Sequence, residues 1–405
     1  MAPLFAVFLF LAAALIAQSA WSLRDGYRFL AYLQRSLHAA PRGFQPPAAL
    51  IVPVRGLEPE LAGNVDALFT QDYPDYQLIF AVAREADPAY AWLIARCSWP
   101  LNRERGPREV QVVLAGTTEE RGEKVNNLLA ALKAVSPRVQ VLVFADADAR
   151  PRGHWLGSLI DPLGDTAVTV STGFRWYLPA KGSASRARAA WDASIATLLG
   201  EHHSNFAWGG SMGVRAQDFR RLKVAERYWA HTVSDDYGLT RAVRDAGGWI
   251  RFEPKCLVAG TGGVTWAGFL RWANRQIIIT RVYARHLWTW GLASHALFCG
   301  TIALGVGIAI LGSEADSRLL AAASVLSILL LGVVKARLRT RVAGFAFPEE
   351  AGRTDASCYW RWWPLVPWIM LLNFVTAGLT HRIEWRGSEY ELISPEKMRV
   401  LRRGD

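Results

Sequence analysis

The chain is poor in cysteine: four in 405 residues, Cys97, Cys256, Cys299 and Cys358, none close to another. That excludes a CxxC motif and a zinc ribbon, and it suits a reduced compartment for the main domain. Internal repeats and low-complexity segments are also missing, which excludes a solenoid. Acidic side chains are outnumbered, 35 against 46 basic, for a net charge of +11. A basic balance of that size invites a nucleic-acid reading, but the distribution of charge argues against it.

Charge is absent altogether from long stretches. Pro3 to Trp21 carries none, nor does Leu287 to Gly312. A shorter run, Leu319 to Val334, is flanked by Arg318 and Lys335, and a fourth, Trp362 to Thr380, is rich in Trp and interrupted by Pro364 and Pro367. A bilayer core needs about 20 apolar residues of helix. The first two runs meet that; the third is marginal, and the fourth either spans or folds back. Ala17-Gln18-Ser19-Ala20 resembles a signal-peptide cleavage site, but no basic residue precedes the long first run, so a retained anchor is the better reading.

The cations flank these runs. Arg24, Arg28, Arg35 and Arg42 follow the first; Lys335, Arg337, Arg339 and Arg341 follow the third; the link between the second and third holds Glu314 and Asp316. Positive charge stays on the cytoplasmic side. The expected topology therefore places residues 22–286 inside and Glu314 and Asp316 outside, with basic clusters beside anionic headgroups. The basic tail would fall outside if the fourth run spanned, so a re-entrant or interfacial fourth segment is preferred. Eighteen tryptophans suit a protein with much membrane interface.

Residues 48–260 read differently. "ALIVPV", "YQLIFAVA", "EVQVVLAG" and "VQVLVFAD" are strand-like runs, and helical patterns lie between them, one opening at Asp87-Pro88. Strands alternating with helices predict an α/β fold, a mostly parallel sheet with helices on both faces. Ligands bind such sheets beyond the carboxyl ends of the strands. That rim holds Arg55, Glu85, Asp87, Asp146 and Asp148. Asp146 and Asp148 follow a buried strand, and residues i and i+2 share a side, about 7 Å apart. Two hard oxygen donors there suit Mg²⁺ or Mn²⁺, which would in turn hold phosphate oxygens. Solvated loop carboxylates are the plain alternative.

The chain resembles the family-two glycosyltransferases, in particular their ceramide glucosyltransferase-like group. The resemblance runs through "VPVRGLEPEL", "AREADPAY", "GEKVNNLLAAL", "DADARP", "VSTGFRWYLP", "GGSMGVR", "SDDYGLT" and "IEWRGSEYEL", in that order. It implies a GT-A-like sheet between N-terminal and C-terminal transmembrane helices. The implied layout is an anchor (1–23), a basic linker (24–47), a catalytic domain (48–265), an interfacial motif segment (266–286), a membrane region of two or three hydrophobic segments (287–380) and a cytoplasmic tail (381–405). It also implies an inverting enzyme moving a hexose from a UDP-sugar to a lipid hydroxyl; with the apolar runs, a multi-pass membrane protein is expected, in the inner membrane if its source is bacterial. Nucleic acid is not among its expected partners.

By motif match, the resemblance makes Asp148 and Asp146 the metal ligands and Asp236 the catalytic base, with Asp235 beside it. Glu85 and Asp87 would hold the nucleoside and Lys124 the diphosphate or uracil. An N-cap role for Asp235 or Asp236, surface charge at 85 and 87 and a merely solvated Lys124 are the competing readings. The group's Gln/Arg-x-x-Arg-Trp motif departs here: Arg271 and Trp272 are present, but Gly268 stands at the first position. Arg271 would meet the diphosphate and Trp272 the acceptor, unless the pair only anchors an interfacial helix. A processive polysaccharide synthase and a non-catalytic protein that keeps the fold are the rival functions. Glycoside hydrolysis also uses paired carboxylates but needs neither metal nor membrane.

Overall fold

The computed structural model describes residues 2–98, 106–352 and 354–404. Its elements run α1 (Ala2–His38), β1 (Ala48–Val54), α2 (Leu61–Phe69), β2 (Tyr76–Val82), α3 (Pro88–Cys97), β3 (Glu109–Leu114), α4 (Glu123–Leu132), β4 (Val141–Ala145), α5 (Trp155–Ile160), β5 (Val168–Tyr177), α6 (Ser183–Ala196), β6 (Ser211–Arg215), α7 (Ala216–Arg221), α8 (Asp235–Asp245), β7 (Trp249–Gly260), α9 (Trp266–Tyr283), α10 (Arg285–Leu311) and α11 (Ala315–Ala346). The short α12 (Pro348–Ala351) and α13 (Cys358–Trp362), then α14 (Val366–Leu379) and the strands β8 (Arg382–Trp385), β9 (Ser388–Ser394) and β10 (Lys397–Arg402), complete the chain. Two compact units result. One comprises residues 35–176, 198–260 and 382–405; the other, residues 1–34, 177–197 and 261–381.

The first unit holds a seven-stranded sheet in the order β3-β2-β1-β4-β6-β5-β7. β3, β2, β1 and β4 are parallel neighbours, and β6 runs antiparallel to both β4 and β5. The continuous apolar runs of β1 and β2 follow from burial on both faces. Leu50, Val52 and Val54 of β1 pack with Trp155, Leu156 and Leu159. The alternate residues Ala49 and Ile51 pack with Val125, Leu128 and Leu239. Each such Leu, Val or Ile contributes roughly 1.5–3 kcal/mol by leaving water. The expected α/β, mostly parallel sheet covered by helices on both sides is therefore present. The C-terminal residues, expected only as a tail, form an antiparallel three-stranded sheet, β10-β9-β8.

The second unit contains long apolar helices. Among the described residues, four segments are long and apolar enough to cross a bilayer: Pro3–His38, Arg285–Leu311, Ala315–Ala346 and Cys358–Leu379. The third apolar run, marginal by length, lies within a 32-residue helix. The fourth is helical but broken by a 3-10 turn at Trp363–Leu365, where Pro364 and Pro367 interrupt the hydrogen-bond ladder. Phe8, Ala12 and Leu15 of α1 pack with Ile302 of α10 and with Ala321, Val325 and Ile328 of α11. Helix α1 continues to His38, so of the segment expected as a linker only residues 39–47 lack regular structure.

Candidate active site

Strand β4 ends at Ala145, and Asp146-Ala147-Asp148 follows it at the carboxyl rim of the parallel strands. Neither carboxylate stands alone. Lys124, the second residue of α4, brings its Nζ 2.8 Å from Asp146 Oδ1 and 3.1 Å from Asp235 Oδ2. Arg175 of β5 grips both oxygens of Asp148, one at 3.0 Å, and its Nη2 lies 4.0 Å from Asp146. The Arg175 guanidinium also lies over the Trp208 ring, 5.3 Å from its centroid. Four chain segments thus converge on one cluster of alternating charge.

Helix α8 supplies the other acids. Ser234 caps it, its side chain accepting from Tyr237 N–H at 3.3 Å. Asp235 is 2 % exposed and faces Lys124. Asp236 is half-buried. Its Oδ1 accepts from Tyr237 N–H at 2.8 Å and from the Ser234 hydroxyl, while Oδ2 has only a long contact from Gly209 N–H at 3.5 Å. Asp236 thus holds the first turn of the helix with one oxygen, while its other oxygen has a single long contact among the described residues. Gly209 and Gly210 make room for the cluster. A Cβ at 209 would lie 2.6 Å from Asp235 Oδ2 and 2.7 Å from Lys124 Nζ; one at 210 would lie 2.8 Å from Asp146 Oδ2.

The electrostatics follow from this arrangement. Burial and the neighbouring Asp236 and Asp146 push the Asp235 carboxyl up to about 6, against the opposing pull of Lys124. Burial alone would lower Lys124, but Asp146, Asp235 and Asp236 outweigh it and hold the ammonium well above the ordinary lysine range. Burial would likewise raise Asp148; Arg175, helped by Arg386 and Lys124, holds its carboxyl well below the usual carboxylate range.

Among the described residues no group of three or more His, Cys, Asp or Glu side chains is placed to hold a metal by itself. Mg²⁺, however, is commonly bound by one or two carboxylates together with substrate phosphates. Asp146 and Asp148 are such a pair, and their charge is at present balanced by Lys124 and Arg175. Asp235 Oδ2 is already met by Lys124 Nζ at 3.1 Å. The donor set fits a hard divalent cation, provided Arg175 yields Asp148 to it.

The other expected residues divide. Asp87 is tied into the backbone: its oxygens accept from Gly56 N–H at 3.0 and 3.1 Å, and Oδ1 also caps α3 at Ala89 N–H, 2.8 Å away. Glu85 is exposed. Arg271 and Trp272 lie on α9 in the other unit, Arg271 exposed and Trp272 edge-on to Trp191 at 5.2 Å and Tyr177 at 5.6 Å. Gly268 donates its N–H to the capping Thr265 Oγ1 at 3.2 Å, and a Cβ there would sit 3.0 Å from Val264 Cγ2. A longer side chain at this cap would need Val264 to give by a few tenths of an ångström.

Sequence reasoning missed Arg175 and Arg386. Arg175 had a signal: a lone cation between Phe174 and Trp176 in a buried strand demands a partner. Arg386 had none. It sits in the turn between β8 and β9, donates to Arg55 O at 3.1 Å and pairs with Glu58 at 2.7 Å. Arg55 in turn pairs with Glu123 at 3.2 Å and donates to Ser388 Oγ and Gly404 O, both at 3.1 Å. The C-terminal sheet is thus fastened to the rim that carries the acids.

The sequence profile described as glycosyl transferase family 21 matches residues 7–398. No curated protein sequence matches the chain. Among solved structures, the chain is similar to a mannosyltransferase from Pyrobaculum calidifontis in complex with GDP-mannose and Mn²⁺, at 15 % identity and TM-score 0.44, over 91 % of this chain and 98 % of that one. It is also similar to glucosyl-3-phosphoglycerate synthase from Mycobacterium tuberculosis with Mn²⁺, UDP and glucosyl-3-phosphoglycerate, at 14 % identity and TM-score 0.38, over 62 % of this chain and 82 % of that one.

Proposed function

Because this chain belongs to glycosyl transferase family 21 and so transfers sugar, we propose that it is a metal-dependent, inverting hexosyltransferase working at a membrane. Its donor is a UDP-sugar and its acceptor a lipid hydroxyl. The observation that carries the reading is the meeting of Lys124, Asp146, Asp148, Asp235 and Asp236 at the rim of the sheet, in a chain whose described residues also hold four apolar helical segments long enough to cross a bilayer.

Each residue has a task its surroundings suit. Asp146 and Asp148 would hold Mg²⁺ or Mn²⁺, which when bound supplies positive charge to the diphosphate. Lys124 neutralises Asp146 and Asp235 and offers an N–H to donor oxygens. Arg175, released from Asp148, and Arg386 are the cations best suited to the departing nucleoside diphosphate. Asp236 Oδ2 takes the proton of the acceptor hydroxyl. The acceptor oxygen forms its bond to the anomeric carbon as the bond from that carbon to the diphosphate oxygen breaks, and UDP leaves with the electron pair. Asp235, buried against Lys124, positions the cluster rather than meeting substrate. Asp87 shapes the loop after β1, and Glu85, in the loop after β2, is open to a nucleoside. Arg271 and Trp272 are retained on the resemblance alone, Arg271 for donor affinity and Trp272 for the acceptor.

The lipid acceptor is favoured because a soluble acceptor gives no reason for so much apolar helix. The expected orientation, with residues 22–286 cytoplasmic, gives the enzyme access to nucleotide sugars. Incubating membranes that contain the protein with a panel of labelled sugar nucleotides, followed by mass analysis of extracted lipids, tests the reading. Addition of one hexose to one lipid class from a UDP-sugar supports it. A ladder of products supports a polymerising synthase instead, and no labelled product from any donor overturns it.

A further inference from the structure

Helix α11 leaves its apolar run at Val334 and then carries Lys335, Arg337, Arg339 and Arg341. These cations divide between two faces. Arg337 and Arg341 are exposed, and the Arg337 guanidinium lies 5.3 Å from the centre of the Trp360 ring. Lys335 and Arg339, one helical turn apart, face inward. Lys335 is half-buried and donates to Ser22 Oγ of α1, while Arg339 is 4 % exposed. Helix α1 comes close at this level, where a Cβ on Gly26 would lie 3.1 Å from Leu338 Cδ1. Thr340 Oγ1, donating to Ala356 O at 2.9 Å, draws in the segment before α13.

The Arg339 Nε and Nη1 are buried and have no hydrogen-bond partner among the described residues. A guanidinium stays charged, and an unpaired buried charge is strongly unfavourable. Nearby on these helices, Asp25, one turn beyond Ser22, pairs with Arg28 at 3.7 Å, and the Tyr359 hydroxyl donates to Tyr177 O at 3.0 Å. An acceptor from outside the chain would resolve the imbalance. The residues lie just past the end of an apolar run, the depth at which lipid phosphates are found.

We propose that Arg339 and Lys335 form a binding site for the phosphate of an anionic membrane lipid, between α1, α11 and α13. Arg339 supplies its unpartnered N–H groups to phosphate oxygens and Lys335 a second charge. This site is separate from the sugar-transfer chemistry and does not depend on it.

The test is thermal unfolding of the full chain in nanodiscs of phosphatidylcholine with and without phosphatidylglycerol, and in detergent with inorganic phosphate. Native mass spectrometry counts retained lipid. Phosphatidylglycerol should raise the midpoint by roughly 3–5 °C, inorganic phosphate should not, and one phosphatidylglycerol should stay bound. Arg339→Met should lose both effects, yet in phosphatidylcholine alone be at least as stable as the wild type, because an unpaired buried charge has gone. Arg337→Gln should keep both. If Arg339→Met responds to phosphatidylglycerol as the wild type does, or if inorganic phosphate stabilises equally, the proposal fails. Should Arg339→Met not fold, Arg339→Lys and Lys335→Met are read in its place, each with a reduced lipid response expected and an undiminished one contradicting the site.

Discussion

Replacing Lys124 by methionine removes the single cation shared by Asp146 and Asp235. Asp235 is 2 % exposed, and its carboxyl stands at about 6 even with Lys124 in place. Without the ammonium it must rise further. Loss of that partner should cost about 3 kcal/mol of stability at pH 8. That is at the lower edge of the roughly 3–5 kcal/mol expected for breaking a buried ion pair from one side. Asp146 adds little, because its side chain is 26 % exposed and screened by water. The sign with pH is fixed. A carboxyl whose folded pKa lies above its unfolded 3.8 weighs against the folded state at high pH, and that penalty lifts as the pH falls through the folded value. The deficit of Lys124→Met should therefore shrink between pH 8 and pH 5. Chemical denaturation of the purified protein in detergent, without metal, measures it. The double variant Lys124→Met with Asp235→Asn should recover at least about 1.5 kcal/mol, since contacting residues couple on that scale. A Lys124→Met variant within about 0.5 kcal/mol of the wild type at pH 8, or a deficit that grows on acidification, refutes the reasoning.

Three further outcomes follow from the same cluster. Gly209→Ala sets a methyl against Asp235 and Lys124 and should destabilise the fold by about 1–3 kcal/mol, read by the same denaturation. Arg175→Ala releases Asp148, so its carboxyl should titrate closer to the ordinary range, visible by NMR of the labelled aspartate; an unchanged titration would contradict the pairing. Mn²⁺ added together with UDP should raise the thermal midpoint of the wild type and leave Asp148→Asn unmoved, whereas equal shifts would exclude Asp148 as a ligand.

The sheet was legible because parallel strands buried on both faces spell unbroken apolar runs, as in "ALIVPV" and "VLVFA". The acids at 146 and 148 were legible because they interrupt such a run at its carboxyl end. Their balancing charges were not. Arg175 meets Asp148 across 27 residues, and Arg386 reaches Arg55 across 331. No local pattern encodes contacts of that span; tertiary packing does. Lys124 shows the same limit: at a helix start it looks solvated, and only the fold reveals that two carboxylates close over it. The two aspartates of α8 were separable only in three dimensions, where one turns inward to Lys124 and its neighbour caps the helix. The C-terminal strands have alternating burial, clear in β9, yet they are short and charged enough to pass for a tail.

The most direct test of the central claim compares Asp236→Asn with the wild type for sugar transfer to lipid while UDP binding is measured on the same samples. The account predicts UDP affinity unchanged within about threefold and transfer reduced at least about a hundredfold, the scale of a lost general base. Transfer that persists undiminished in Asp236→Asn would show that this carboxylate takes no proton and would contradict the account.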